Sequence, residues 1–379
     1  MEMKVDELLK NFREAAFHPG KLKRHYLAQG KKVVACFPYY VPEELIAAAG
    51  MVPMGLWGCK GAPTRAKEYF PTFFCSIAQM GMEMVMDGTL DGVSAVVCPS
   101  MCDTLRPLTQ NLKSAGRYPV IFLAHPQNRK KEYGVKFCRY QYGKMKKQLE
   151  EIEGKESGDE AIREAIRVYN ANRAACRKFV HLAGQHPEVI SAVDRSAVLK
   201  SRHFLMKAEH TELLEELNQE LERLPRQEWK GTKVVLSGII ADNSNYMKIF
   251  DEYGIAIAAD DLAHESRGFR RDAAEEGDPL EALARQFAGQ DEDTILYDED
   301  LVKRPKHVVR LVKESGAQGV VITMMSFCDP EEIEYPSLKQ ELDKEGIPSI
   351  MLGYDQQITD FGQASTALQA FNDVLEMKK

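Results

Sequence analysis

No stretch of this sequence approaches the ~18 consecutive apolar residues that a membrane-spanning helix needs. Its first residues, MEMKVDELLKNFREAAF, have the charged amphipathic pattern of a surface helix and lack the apolar core of a secretion signal. The expected location is the cytoplasm. Positive charge is also in short supply: 50 Lys and Arg stand against 57 Asp and Glu, a net charge of -7. Proteins that grip nucleic acid carry a basic face, so neither nucleic acid nor an anionic membrane is the expected partner. Two further absences matter. There is no G-x-G-x-x-G and no G-x-x-x-x-G-K-[ST], so nothing supports dinucleotide binding or ATP hydrolysis by this chain.

The eight cysteines (36, 59, 75, 98, 102, 138, 176 and 328) include no C-x-x-C pair and no C-x2-C-x2-C run. A reducing compartment does not maintain a disulfide framework. Packing, metal binding and catalysis remain as uses, and any metal site must be assembled from distant segments.

What the sequence does contain is an internal echo. At 379 residues it suits two or three cores. KKVVACFPYYVPEELIAAAGMVPMGLWG reads as a strand, a helix opened by Pro42, Glu43 and Glu44, then Gly50 and a second strand; TKVVLSGIIADNSNYMKIFDEYGIAIAADD repeats that order. The second helix has a cap at Asp242 or Asn243 and a stop at Gly254. DGVSAVVCPSMCD…AGRYPVIFLAHPQ likewise matches AQGVVITMMSFCD…EGIPSIMLGYDQ. Strands alternating with helices predict an α/β fold: two similar Rossmann-like domains with small parallel sheets. From Lys136 to Lys230 the strand signals vanish and the chain reads as charged helix, so a helical domain is inserted. The expected domains are 1–135 with the N-terminal helix, 136–230, and 231–379. The charge runs of the middle segment read as solvated helix faces.

Two matching strands end in Cys-Asp: Cys102-Asp103 and Cys328-Asp329. In open α/β sheets ligands gather beyond the carboxyl ends of strands, so both turns should face a shared cleft. Cys75 joins them where an aromatic segment meets a helix starting near Ser76, since a helix N-terminus favours thiolate. Cys98, four residues before Cys102, is the rival ligand, but it belongs to the strand run. Each cysteine taken singly reads as core packing; as a set, three thiolates without a histidine suit an iron–sulfur cluster better than zinc. Three protein ligands would leave one iron open, for electron relay or Lewis-acid chemistry.

The segments FPYYVPEEL, GMVPMGLWG, FCSIAQ, CDTLRP, VIFLAHPQ, SGII and MMSFCDPEE closely resemble the 2-hydroxyacyl-CoA dehydratases, a family that also holds benzoyl-CoA reductase subunits. The likeness runs from Lys31 to the C-terminus and is most detailed toward the β-subunit type. It implies a [4Fe-4S] cluster on Cys75, Cys102 and Cys328 and a heterodimer with a homologous α subunit. The implied reaction removes water from (R)-2-hydroxyglutaryl-CoA to give glutaconyl-CoA. One electron from a separate ATP-hydrolysing iron–sulfur activator forms a ketyl radical that expels the hydroxyl and acidifies the β proton. The resemblance further implies that the acyl-CoA substrate meets the α subunit's iron and that the cluster of this chain relays the electron. FMN or riboflavin is carried as a second candidate cofactor.

Other residues carry blander expectations. Asp103 and Asp329 read as groups supporting the cysteine ligands or as caps of the following helices, and Pro42, Glu43 and Glu44 as a favourable helix start. His125 and Glu44 are the minor candidates for proton transfer. Gly238, after Ser237, would let a backbone approach a ligand. Arg267, Arg270 and Arg271 fit either the phosphates of CoA or flavin, or a solvated loop, and the loop is the expectation. The methionines of MGMEMVM read as core filling. Two rival functions stay open: a homodimeric or aromatic acyl-CoA reductase-type member of the same family, and a non-catalytic α/β scaffold whose cysteines are core residues.

Overall fold

A computed structural model describes residues 2–37, 39–57, 61–292, 296 and 302–377. Pro38, Gly58 and Cys59 lie outside the described residues.

Helices α1 (Glu2–Phe17) and α2 (Pro19–Ala28) lead into the first α/β unit. That unit runs β1 (Val33–Cys36), α3 (Glu43–Ala48), β2 (Val52–Gly55), α4 (Ser76–Met86), β3 (Ala95–Pro99), α5 (Leu105–Ala115) and β4 (Val120–Leu123). Four helices follow: α6 (Glu132–Glu153), α7 (Asp159–Gln185), α8 (Ala192–Ser201) and α9 (Lys207–Glu222). The second unit runs β5 (Thr232–Gly238), α10 (Ser244–Glu252), β6 (Ile255–Leu262), α11 (Pro279–Ala288), α12 (Lys303–Ser315), β7 (Gly319–Met325), α13 (Asp329–Lys344), β8 (Ser349–Tyr354) and α14 (Gly362–Glu376).

Both sheets are four-stranded and wholly parallel, with orders β2-β1-β3-β4 and β6-β5-β7-β8. The two orders are the same topology, so the echo in the sequence is an echo in structure. VVAC of β1 and GVVITMM of β7 are buried throughout, as central parallel strands covered on both faces must be. The edge strands β4 and β8 expose Phe122 and Met351. Gly50 and Gly254 follow α3 and α10 at φ 82° and 63°, a left-handed turn that lets each helix double back into its next strand. Asn243 caps α10 by accepting the N–H of Asn245 at 2.9 Å. In each sheet the chain lays its second strand on one side of the first and its third strand on the other. The gaps between β1 and β3 and between β5 and β7 are therefore topological switch points.

Helix α1 shares its buried face, Val5, Leu8, Leu9 and Phe12, with Ala175, Phe179, Leu214 and Leu217 of α7 and α9. The charges of the helical segment are not all solvated, which corrects the expectation for that stretch. Arg173 pairs with Glu44 and Lys207 with Glu43 (2.7 Å), bolting α7 and the start of α9 to α3. Arg195 of α8 binds Asp260 and Glu265 (2.5 Å) beyond it in the second unit, and Lys200 binds Asp242 at 2.6 Å. Buried pairs of this kind specify one arrangement more than they stabilise it, because desolvation offsets most of the Coulomb gain. A periodicity argument cannot see them, since the partner charges lie more than 40 residues away.

Candidate metal centre

Every strand that borders a switch point contributes to one cavity. Tyr39 follows β1, Met101 and Cys102 follow β3, Ile239 follows β5, and Met325, Phe327 and Cys328 end or follow β7; Cys75 enters from the start of α4. The cavity measures about 260 Å³. Cys75, Cys102 and Cys328, drawn from segments up to 253 positions apart (328 − 75), all line it. The first unit meets the second here directly: the Gln356 N–H, after β8, donates to Ser76 Oγ at 3.2 Å.

Cys75 is the N-cap residue of α4, and the N–H groups of Ala78 and Gln79 donate to its carbonyl at 3.2 Å. Burial pushes its thiol up to about 12, although the N–H groups of Ala78 and Ile77 pull the other way. The expected helix-terminus advantage for thiolate is thus present and outweighed by desolvation. Burial also raises Cys328, reinforced by Glu331 and Cys75, and Cys102, where the N–H groups of Leu105 and Thr104 oppose it. Left to itself each thiol keeps its proton at neutral pH, so metal uptake must release protons.

Among the described residues no three His, Cys, Asp or Glu side chains converge closely enough for a single metal ion. What the cavity offers is three thiols spread around a space, a donor set suited to a polynuclear iron–sulfur group in which separate irons each take one thiolate. Cys98 does not line the cavity. Its thiol is fully buried, donates to the Leu105 carbonyl at 3.5 Å, and is pushed up to about 12 by burial. Cys176 lies in the helical core.

A family model for the 2-hydroxyglutaryl-CoA dehydratase D-component matches residues 38–375. The chain belongs to this dehydratase family. It is 51% identical to the β subunit of (R)-2-hydroxyglutaryl-CoA dehydratase from Acidaminococcus fermentans, over 98% of this chain and 100% of that one. It is 38% identical to the (R)-phenyllactyl-CoA dehydratase β subunit of Clostridium sporogenes, over 98% and 99%. A third relative, the lactoyl-CoA dehydratase β subunit of Anaerotignum propionicum, is 40% identical over 98% and 100%. The chain is accordingly a component of a hydro-lyase. No helix among its described residues is long and apolar enough to cross a membrane.

Several residues of this dehydratase chain do something other than their sequence context suggested. Asp103 and Asp329 are not helix caps: Thr104 and Cys328 hold the N-cap positions, without side-chain cap bonds, and both aspartates line the cavity. Glu44, a candidate base, is buried against Arg173. The Nε2 of His125 lies 3.1 Å from the Tyr40 carbonyl, and burial lowers the ring to about 4, so it is a neutral group pinning the loop after β1. Gly238 lets β5 lie close to β7, since a Cβ there would stand 2.4 Å from the Thr323 carbonyl oxygen.

Arg267 and Arg270 are not a solvated loop either. With Arg304 they surround Asp261, Arg304 Nε donating at 2.7 Å, Arg270 Nη2 at 2.6 Å and Arg267 Nη2 at 3.0 Å. Burial alone would raise the Asp261 carboxyl, but Arg267, Arg304 and Arg270 hold it well below the carboxylate range. Arg304 Nη2 also donates to Ser237 Oγ at 2.8 Å, while Arg271 is exposed. Met80, Met82 and Met84 of α4 fill the core as expected. Within that run Glu83 accepts the N–H groups of Thr64, Arg65 and Ala66 (2.8–3.0 Å), fixing the segment ahead of Cys75.

Two groups at the site escaped sequence reasoning. Glu331, buried in the first turn of α13 behind Cys328, accepts the Met325 N–H at 3.3 Å and is raised by burial to about 7, against the pull of Arg304 and Arg267. Tyr39 lines the cavity with its hydroxyl buried and unpartnered. Its position past the end of β1, level with the Cys-Asp turns, was the available signal.

Proposed function

We propose that this chain is the β subunit of a 2-hydroxyacyl-CoA dehydratase that converts (R)-2-hydroxyglutaryl-CoA to glutaconyl-CoA and water, working in the cytoplasm. The observation that carries the reading is the meeting of Cys75, Cys102 and Cys328 around one cavity at the paired switch points. These residues would hold a [4Fe-4S] cluster, which when bound supplies one electron at a time. The 51% identity to a β subunit named for this substrate supports the choice of acyl chain.

The work of this chain's own residues follows from their placement. The three thiols, freed of their protons, anchor the group from both α/β units, so its seat depends on the units staying together. Ile77, Met101, Leu105, Ile239 and Met325 keep the surrounding wall apolar and limit water. At the mouth, Phe327 and Ile333 stand exposed, and such apolar groups at the rim of a redox site suit cover by the homologous α subunit, where the acyl-CoA binds. The electron would arrive from an ATP-hydrolysing iron–sulfur activator.

Iron and acid-labile sulfide in protein purified without oxygen test the reading: about four of each per chain are expected. A folded chain containing neither refutes the cluster assignment. Flavin absorbance of the same sample decides whether FMN or riboflavin accompanies it.

A further inference from the structure

Tyr39 is 5% exposed, and its hydroxyl has no hydrogen-bond partner. An unmade bond at a buried polar group costs free energy, so such a group calls for a physical reason. Of the described buried side-chain atoms without a partner, the Tyr39 hydroxyl is the one that belongs to a residue lining the cysteine cavity.

Tyr39 lines both the cysteine cavity and a smaller one of about 70 Å³ bordered by Glu43, Glu44, Arg173 and Gln290, where carboxylates stand as acceptors. Burial raises the phenol, and of the charged groups that act on it, Cys328, Arg267, Asp242 and Glu331, Cys328 lines the cysteine cavity and none borders the smaller one. The backbone is held to suit. Tyr40 sits at φ 53°, a left-handed conformation costly for tyrosine, its carbonyl is met by His125, and its ring packs on Phe287. Phe327, immediately before Cys328, is likewise left-handed at φ 62°.

We propose that the Tyr39 hydroxyl donates a hydrogen bond to a sulfur of the iron–sulfur group held by Cys75, Cys102 and Cys328, and thereby sets how readily that group is reduced. The inference rests on the cluster reading above. A phenol keeps its proton near neutral pH and so acts as donor. Asp103 and Asp329, the charged members of the lining, carry only acceptors when ionised. Hydrogen bonds to sulfur are among the terms that set a cluster's potential, because they stabilise the more negative, reduced state.

The test is Tyr39→Phe in the full chain, purified without oxygen, with iron content, reduction midpoint and metal-free thermal stability measured beside wild type. Iron should be unchanged. The midpoint should move to a more negative value by about 59 mV, a tenfold change for one electron. The metal-free variant should be no less stable than wild type, since the hydroxyl removed had no partner in the protein. 3-Fluorotyrosine placed at this position, a stronger donor of nearly the same shape, should move the midpoint the opposite way. An unchanged midpoint at full iron content, or a metal-free variant that is less stable, overturns the proposal. A wild-type chain that takes up no iron removes the cluster reading and this inference together, whereas failure of the inference alone leaves wild-type iron intact.

Discussion

The indole Nε1 of Trp57, just beyond β2, donates to Asp242 Oδ2 at 2.9 Å, and Asp242 stands just ahead of α10 in the other α/β unit. The same carboxylate accepts the Tyr354 hydroxyl at 2.8 Å and pairs with Lys200 of α8 at 2.6 Å. One buried acid therefore ties together both sheets and the helical segment. Trp57→Phe should lower the free energy of unfolding by about 2 kcal/mol, the scale of a hydrogen bond to a charged group. Denaturant titration reads this, and a loss below a few tenths would show the bond to be incidental.

Stability should respond to pH through two buried acids of opposite behaviour. Burial would raise Asp242, but Lys200 and His264 outweigh it and hold the carboxyl at about 2. Its folded value lies below its unfolded one, so its contribution is present above about pH 4 and is lost as pH falls toward 2. Glu265 is raised to about 8 by burial, only partly offset by Arg195 and reinforced by Asp260. Its contribution is present below about pH 4.3 and is lost as pH climbs to about 8. Wild type should therefore lose ground to Glu265→Gln steadily between pH 5 and pH 8 on the melting temperature, by roughly the same sign rule. Parallel curves for the two proteins would contradict the raised value.

Replacement of Cys75, Cys102 or Cys328 by alanine should abolish iron binding while the circular dichroism of the fold persists. Cys176→Ala should keep its iron and lose about 1 kcal/mol of stability, because its sulfur fills the helical core and its hydrogen bond there, to Asn172 Oδ1 at 3.9 Å, is long. Cys98→Ala belongs with Cys176→Ala. Full iron in a Cys328→Ala chain would end the assignment.

Ile333 is 78% exposed at the mouth of the cavity. Ile333→Glu should leave the stability of the isolated chain unchanged and weaken association with the homologous subunit by roughly tenfold or more. Analytical ultracentrifugation of the mixed subunits distinguishes this from an unaltered complex, which would place the interface elsewhere.

The sequence by itself determined the α/β class, the duplicated strand–helix order and the two Cys-Asp turns, because hydrophobic period, glycine stops and strand ends are local quantities written within about a dozen residues. It also brought Cys75, Cys102 and Cys328 forward as a set, since a strand's end and a helix's start are readable positions. Only the tertiary structure decided what those positions face. Whether Arg267 meets solvent or Asp261, whether Asp329 caps a helix or stands at a cavity, and whether Glu44 is free or locked to Arg173 depend on groups brought from other elements when the sheets and helices pack. Burial then sets their charge states, because desolvation is a property of the assembled surroundings and not of the residue. For the same reason Tyr39 was only an aromatic after a strand until the fold left its hydroxyl buried and unpartnered on a residue that lines the same cavity as Cys328.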